Sequence, residues 1–250
     1  MTSGTLYVIG IGPGDPELLT LKAVRILESV PVLCVPKGRE EGTSLALSIV
    51  KQAVKLVSTE IIEVHFPMTK TRGQEGRNND GEDLHRKWDA AAREITSRLE
   101  RGKDVAFITL GDPSIYSTYF YLHDAVLKHL PGLSVEFVPG VSSVTAAAAR
   151  AGISLGLGNE KIAILPATYI NDIGTVLAEF DTVVLMKVHS VFRSILPILK
   201  ELHLEQDCIY IARAGMPSEN IVFDISMISD DDLDYFSILI IRAGRRRASV

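Results

Sequence analysis

The stretch Leu6-Tyr7-Val8-Ile9-Gly10-Ile11-Gly12-Pro13-Gly14-Asp15-Pro16 carries an apolar strand into a glycine-rich turn and then into a helix start. A strand, a tight turn and a helix in that order open a β-α-β unit and point to an α/β fold. The glycines suggest a dinucleotide fingerprint, but the G-x-G-x-x-G pattern needs a third glycine where Asp15 stands. Pro13 also deletes an N–H that an anion-cradling loop would use. A nicotinamide site further requires an acid near the end of the second strand, where Val32-Leu33-Cys34-Val35 runs into Pro36-Lys37-Gly38. The loop therefore belongs to an α/β protein whose ligand is not held by a pyrophosphate nest.

Composition narrows the class. The chain has 250 residues, 46% of them hydrophobic, which suits one large domain or two small ones with a buried core. A formal net charge of -5 argues against a nucleic-acid partner, because phosphate neutralisation shows as a basic surplus. The dense positive run Arg245-Arg246-Arg247 follows the last apolar strand and reads as a solvated tail. Cys34 and Cys208 lie far apart in apolar runs, as buried thiols do, and imply no disulfide framework. The six histidines form no H-x-x-x-H pair, so no protein-bound metal is expected. No basic leader precedes an apolar stretch and no apolar run approaches the ~20 residues that span a bilayer, so no membrane partner and a cytoplasmic address are expected.

Strand-like runs at 6–10, 31–36, 61–66, 104–110 and 134–138 alternate with helical spacing through the first half, which reads as a parallel sheet. Asp15 as N-cap and Pro16 at the first position start a helix whose apolar face is Leu19, Ala23, Ile26 and Val30. A helix from Trp88 to Leu99 stops at Arg101-Gly102. After Pro139-Gly140 comes a small-residue helix, Thr145 to Ala149, then strands near 161–167, 182–188, 208–213, 220–226 and 235–242, with one long helix around Ser190–Glu201. The spacing thus predicts an N-terminal α/β domain over 1–139 and a mixed-sheet α/β domain over 140–250, with a ligand site in the cleft between them. Thr69 to Asp83 is polar, glycine-rich and aperiodic, and reads as a loop, either a plain insertion or a lid.

Four segments together resemble a known family: Gly10-Ile11-Gly12-Pro13-Gly14-Asp15-Pro16, Leu110-Gly111-Asp112-Pro113-Ser114-Ile115-Tyr116, Val138-Pro139-Gly140-Val141-Ser142-Ser143, and Val184-Leu185-Met186-Lys187. In this order they resemble the tetrapyrrole methylases, S-adenosylmethionine-dependent enzymes of cobalamin and sirohaem biosynthesis. Val35-Pro36-Lys37 with Ser44-Leu45-Ala46, Phe66-Pro67-Met68-Thr69, Tyr116-Ser117-Thr118-Tyr119 and Ala163-Ile164-Leu165-Pro166-Ala167 resemble the branch that methylates carbon 20 of precorrin-2 or of its cobalt form, cobalt-factor II.

The resemblance implies a homodimer and places the methyl donor against Leu110, Gly111, Asp112 and Ile115, against Ser142 and Ser143, and against Met186, with Pro13 and the turn Arg213-Ala214-Gly215 also carried over. Asp112 suits a sulfonium cation, which asks for carbonyl and carboxylate oxygens rather than N–H donors. Each assignment has a plainer reading: a turn at Gly111-Asp112-Pro113, a helix cap at Ser142, core packing at Met186. The implied acceptor carries eight carboxylates, and Lys37, Arg39, Lys70, Arg72 and Arg77 are the candidate cations, in loops after the second and third strands.

Aligning a sulfonium methyl with an electron-rich meso carbon supplies ~7–11 kcal/mol through positioning alone. If a base removes the carbon-20 proton, Tyr116 and Asp15 are the polar candidates. Three other readings stay open: a methylase of the same fold with another tetrapyrrole position, a protein or an RNA as acceptor; a tetrapyrrole metal chelatase; and a non-enzymatic ligand-binding module.

Overall fold

The computed structural model describes residues 3–37, 44–65, 80–169 and 172–244. The chain divides into two compact units, Met1–Ser142 and Ser143–Val250.

In the first unit β1 (Leu6–Gly10), α1 (Leu21–Ser29), β2 (Val32–Lys37), α2 (Leu45–Ala53), β3 (Glu60–His65), α3 (Asp80–Leu99), β4 (Val105–Thr109), α4 (Tyr119–His129) and β5 (Val135–Val138) follow one another. The strands form one parallel sheet in the order β3-β2-β4-β1-β5. Successive side chains of a strand point to opposite faces, and the burial follows that period. Leu6, Val8, Val32, Cys34, Val105 and Phe107 pack with α3 and α4. Ile9, Leu33, Val35, Ala106 and Ile108 pack with α1 and α2. Both faces are covered, which is why the strands read as continuous apolar runs. From β1 the chain runs outward to β2 on one side, and from β4 it crosses to β5 on the other. The strand order therefore reverses between β4 and β1, where open α/β sheets bind ligands at the carboxyl ends of their strands.

The second unit contains α5 (Ser143–Arg150), β6 (Ile162–Pro166), α6 (Ile173–Glu179), β7 (Thr182–Met186), α7 (Phe192–Glu201), β8 (Cys208–Ala212), β9 (Asn220–Val222) and β10 (Ser237–Ile241). Its sheet order is β6-β7-β10-β8-β9, with β6 parallel to β7 and β10 antiparallel to both of its neighbours. The small residues of α5 lie on one face, where Val144, Ala147 and Ala148 meet Val184, Ile211, Ile238 and Ile240. Helices α6 and α7 cover the other through Ile173, Leu177, Phe192, Ile195 and Leu199.

The parallel sheet, the mixed sheet and all ten expected strands are present, while several boundaries differ. The single helix expected from Asp15 is two pieces: a 3-10 turn over Pro16–Leu18 capped by Asp15, and α1 capped by Thr20, whose hydroxyl accepts from Ala23 N. Leu19 is extended and breaks the path, yet the expected face holds: Leu19, Ala23 and Val30 are buried in one core with Leu27, and Ile26 packs against it half-buried. Helix α3 starts at Asp80, eight residues before the expected Trp88, and takes in the end of the stretch read as a loop. The strand expected over 220–226 stops at Val222 and gives way to a 3-10 turn over Ile225–Met227 that Asp224 caps. The short helix α6 was not foreseen beside α7. No described helix is long and apolar enough to cross a membrane.

Candidate functional site

At the carboxyl edge of the first sheet, the turns after β1, β4 and β5 meet backbone to backbone. Gly12 N donates to Gly111 O at 3.2 Å and Gly111 N donates back to Gly12 O at 2.7 Å. Both glycines have left-handed backbone, with φ of 77° and 70°. A Cβ on Gly140 would stand 2.4 Å from Gly111 O, and one on Gly10 would stand 2.7 Å from both Gly111 O and Gly140 N. Glycine at 10 and 140 is thus a packing requirement, because no side-chain carbon fits at those distances.

Asp112 fastens this arrangement. Its Oδ2 accepts from Gly140 N at 2.9 Å, and its Oδ1 accepts from Ser114 N at 2.8 Å and from the Ser114 hydroxyl. Burial pushes the Asp112 carboxyl up, but hydrogen bonds from Ser114 and Gly140 outweigh it and hold the carboxyl below its ordinary value. The carboxylate is ionised at neutral pH and already serves the protein through both oxygens. Pro13 is buried in the turn beside it, Leu110 and Ile115 are half-buried, and Ser142 is buried.

The other residues expected here divide. Asp15 Oδ1 accepts from Glu17 N at 2.9 Å as the cap of its 3-10 turn. Tyr116 is half-exposed with a left-handed backbone of φ 51°, and burial raises the pKa of its phenol, so it is protonated at neutral pH. Such a group donates a hydrogen bond more readily than it abstracts a proton. Lys37, expected as a macrocycle cation, lies 2.6 Å from Glu63 on the adjacent strand. Arg39, Lys70, Arg72 and Arg77, with most of the Thr69–Asp83 segment and the Arg245–Arg247 tail, lie outside the described residues.

In the second unit the candidate residues sit at the ends of β7 and β8. Met186 closes β7 half-buried and packs against the α5 face of the sheet. Ala214 is buried, and Gly215, with φ 75°, donates to Glu219 Oε2 at 2.7 Å. Glu219 also takes Arg150 of α5 in a two-pronged pair, Nη2 to Oε1 at 2.6 Å and Nε to Oε2 at 2.9 Å. The Arg150 guanidinium, acting with the Gly215 N–H against the cost of burial, lowers the Glu219 carboxyl. Ser143 is the first residue of α5, with Ser142 just before it. Among the described residues no three His, Cys, Asp or Glu side chains gather into a group able to hold a metal ion.

A family model described as tetrapyrrole (corrin/porphyrin) methylases matches residues 5–226. The chain belongs to the tetrapyrrole methylases. It is 36% identical, over 96% of each chain, to the cobalt-precorrin-2 C(20)-methyltransferase of Salmonella typhimurium. A probable cobalt-precorrin-2 C(20)-methyltransferase of Methanocaldococcus jannaschii is 34% identical over 96% of this chain and 97% of that one. In fold it is similar to a solved cobalt precorrin-4 methyltransferase described as a cobalamin biosynthetic enzyme, with a TM-score of 0.70 at 20% identity, over 96% of this chain and 95% of that one.

The motif turns of this tetrapyrrole methylase fit a sulfonium donor better than a phosphate. The glycine turns pack main chain on main chain beside an ionised Asp112, which brings negative charge to them. Two features escaped the sequence reading. Ser114, which clamps Asp112, was legible as an Asx-type turn at Asp-Pro-Ser. Glu219, which ties Gly215 to Arg150 across 69 residues, carries no local signal.

Proposed function

We propose that this tetrapyrrole methylase transfers a methyl group from S-adenosylmethionine to carbon 20 of precorrin-2, or of its cobalt form, in cobalamin biosynthesis. What carries the reading is the Asp112 junction: the chain, nearly full-length similar to two C20 enzymes, uses one carboxylate to hold the turn after β4 against the turn after β5. The donor contacts that the family motifs suggest are Pro13, Leu110, Gly111, Asp112, Ile115 and Ser142 in the first unit, and Ser143, Met186, Ala214 and Gly215 in the second.

When bound, the donor supplies an electrophilic methyl on a sulfonium. The protein's part is placement. Asp112 fixes the carbonyl-bearing turns and adds negative charge near them, Gly10 and Gly140 keep side-chain carbons out of the junction, and Met186 gives an apolar contact. Tyr116 hydrogen-bonds the acceptor in its protonated form. No tightly held base is needed for the bond-forming step, because the meso carbon is enamine-like and positioning supplies most of the acceleration. The cobalt, where present, enters as part of the acceptor.

The protein works in the cytoplasm as a homodimer. In support of the dimer, Phe120 of α4 and Phe137 of the edge strand β5 stack 5.4 Å apart while 50% and 39% exposed, and Tyr121 beside them is 49% exposed. An aromatic patch of this kind marks a protein contact. Light scattering tests it: two chains are expected for the wild type and one for Phe120→Lys, and a monomeric wild type would contradict the dimer.

The function is tested by release of S-adenosylhomocysteine in three mixtures: with precorrin-2, with its cobalt form, and with protein and RNA alone. Release that depends on the tetrapyrrole supports the reading, and release with protein or RNA alone contradicts it. Cobalt insertion into sirohydrochlorin without donor would instead mark a chelatase, and binding without release a ligand-binding module.

A further inference from the structure

Of the five cations expected to meet the acceptor's carboxylates, Lys37 is paired with Glu63 and the other four lie outside the described residues. The second unit holds further cations at an unusual place. Four non-glycine residues described here have φ between 51° and 58°: Tyr116, Lys187, His203 and Arg213. His203 is explained by the end of α7, where His203 N donates to Lys200 O and Leu204 N to Leu199 O in a helix-terminating turn. Lys187 and Arg213 each open a turn instead: Lys187 precedes a 3-10 turn over Val188–Ser190, and Met216 N donates to Arg213 O at 2.9 Å. Each follows the last residue of a strand, β7 and β8, where glycine would take the same backbone without strain. An L-residue kept in that conformation needs surroundings that fix it, and such positions cluster at functional sites.

Their surroundings do fix them. Lys187 N donates to Ser237 O at 2.9 Å and Arg213 N to Phe236 O at 2.8 Å, so two consecutive carbonyls at the start of β10 seat the two residues on either side of one strand. With β7 and β8 each paired to β10, their backbones stand roughly 10 Å apart. Arg213 Nη1 pairs with Asp234 Oδ2 at 3.2 Å, which orients the guanidinium, and Asp234 Oδ1 is taken by Phe236 N at 2.7 Å. Arg213 Nε is buried without an acceptor among the described residues. His189, whose N donates to Ser237 Oγ at 3.2 Å, packs against Tyr235 with ring centres 5.4 Å apart, and its Nδ1 is likewise buried without a partner. Lys187 meets no carboxylate at ion-pair distance among the described residues. A buried polar atom without a partner asks for an explanation, and a bound ligand supplies one.

We propose that Lys187, His189 and Arg213 form a carboxylate-binding subsite that grips the acid side chains of the macrocycle acceptor. It rests on the tetrapyrrole reading above and adds the second unit's own contacts to it. Arg213 offers the planar donors that match a carboxylate, Lys187 a mobile charge one strand pair away, and His189 a further ring nitrogen. The donor molecule also carries a carboxylate, on its methionine end, and the test separates the two sources.

Sirohydrochlorin, an octacarboxylate, is titrated by absorbance against the full chain, against Lys187→Met, Lys187→Arg and Arg213→Met, and S-adenosylhomocysteine is titrated against the same proteins by calorimetry. The octamethyl ester of sirohydrochlorin serves as the uncharged control. Each Met variant weakens sirohydrochlorin about tenfold, as loss of a charge-assisted hydrogen bond does. S-adenosylhomocysteine stays within twofold in the Lys187 variants, Lys187→Arg binds like the wild type, and the ester shows no difference between proteins. Lys187→Gly leaves Tm unchanged or raises it while losing sirohydrochlorin affinity, a split that a purely structural lysine would not give. Unchanged sirohydrochlorin binding in the Met variants overturns the subsite. So does a fall in S-adenosylhomocysteine affinity alone, which hands the site to the donor. A wild-type protein that binds S-adenosylhomocysteine but not sirohydrochlorin overturns the acceptor reading itself, and the subsite with it.

Discussion

Asp112 Oδ2 accepts the Gly140 N–H at 2.9 Å across 28 residues of chain, so one carboxylate joins the turn after β4 to the turn after β5. Its other oxygen is held by Ser114. In the proposed reaction Asp112 therefore acts on the donor partly through the turns it positions. Asp112→Ala strands the Gly140 and Ser114 donors, at about 2 kcal/mol for a charged acceptor, or a Tm lower by roughly 5 °C. S-adenosylhomocysteine binding is expected to be lost in calorimetry. Affinity within twofold of the wild type would sink the junction as the organiser of the site.

The same carboxylate sets a pH dependence. Its folded pKa lies below the ordinary value, since the hydrogen bonds from Ser114 and Gly140 exceed the cost of burial. Its stabilising contribution is then complete above the unfolded aspartate pKa of ~3.9 and lost as pH falls through the lower folded value. The stability gap between wild type and Asp112→Ala, from urea melts, is expected to be flat from about pH 5 to 8 and to shrink below about pH 4. A gap that widens toward acid would contradict the direction.

Gly10 and Gly140 are set by contact, and alanine at either forces main-chain atoms apart by several tenths of an ångström. Each Ala variant is expected to cost about 1–3 kcal/mol in denaturant melts and to abolish donor binding. Gly132→Ala is the comparison: its φ is 82°, but nothing lies within 4 Å of a Cβ there. It pays only the backbone strain of about 1 kcal/mol and keeps donor affinity.

Tyr116→Phe is expected to leave S-adenosylhomocysteine affinity unchanged and to lower kcat, since the lost group is a hydroxyl that donates in its protonated state. A wild-type rate that rises with the phenolate fraction at alkaline pH would instead make Tyr116 a base.

Cys34 and Cys208 are buried, and burial drives both thiols far above their ordinary pKa. Because the thiolate is the reactive form, iodoacetamide at pH 8 is expected to label neither in the native protein and both in urea. Native-state labelling of either within minutes would contradict the packing of β2 or β8.

The fold was legible because the central strands of both units are buried on both faces, giving apolar runs such as Val105–Ile108 and Ile238–Ile241 that leave little choice. The turns of the candidate site were legible as motifs, since Gly-x-Gly-Pro, Gly-Asp-Pro and Pro-Gly-Val-Ser mark turns by their residue types. Its internal wiring was not. That Asp112 reaches Gly140, that Lys37 is taken by Glu63 and that Glu219 meets Arg150 all depend on which turns the sheet order brings side by side. Helix starts were the weakest reading, because Leu19 resets the chain between two capped segments and α3 begins in acidic, apolar-poor sequence.

The central claim is methyl transfer to one carbon of the macrocycle, and the product reports it directly. The protein is incubated with precorrin-2 and with its cobalt form in the presence of donor carrying a carbon-13 methyl, and the product is read by mass and carbon NMR. The account predicts one added methyl, on carbon 20. A label on any other ring carbon, or an unmodified macrocycle alongside a donor that binds, would contradict it.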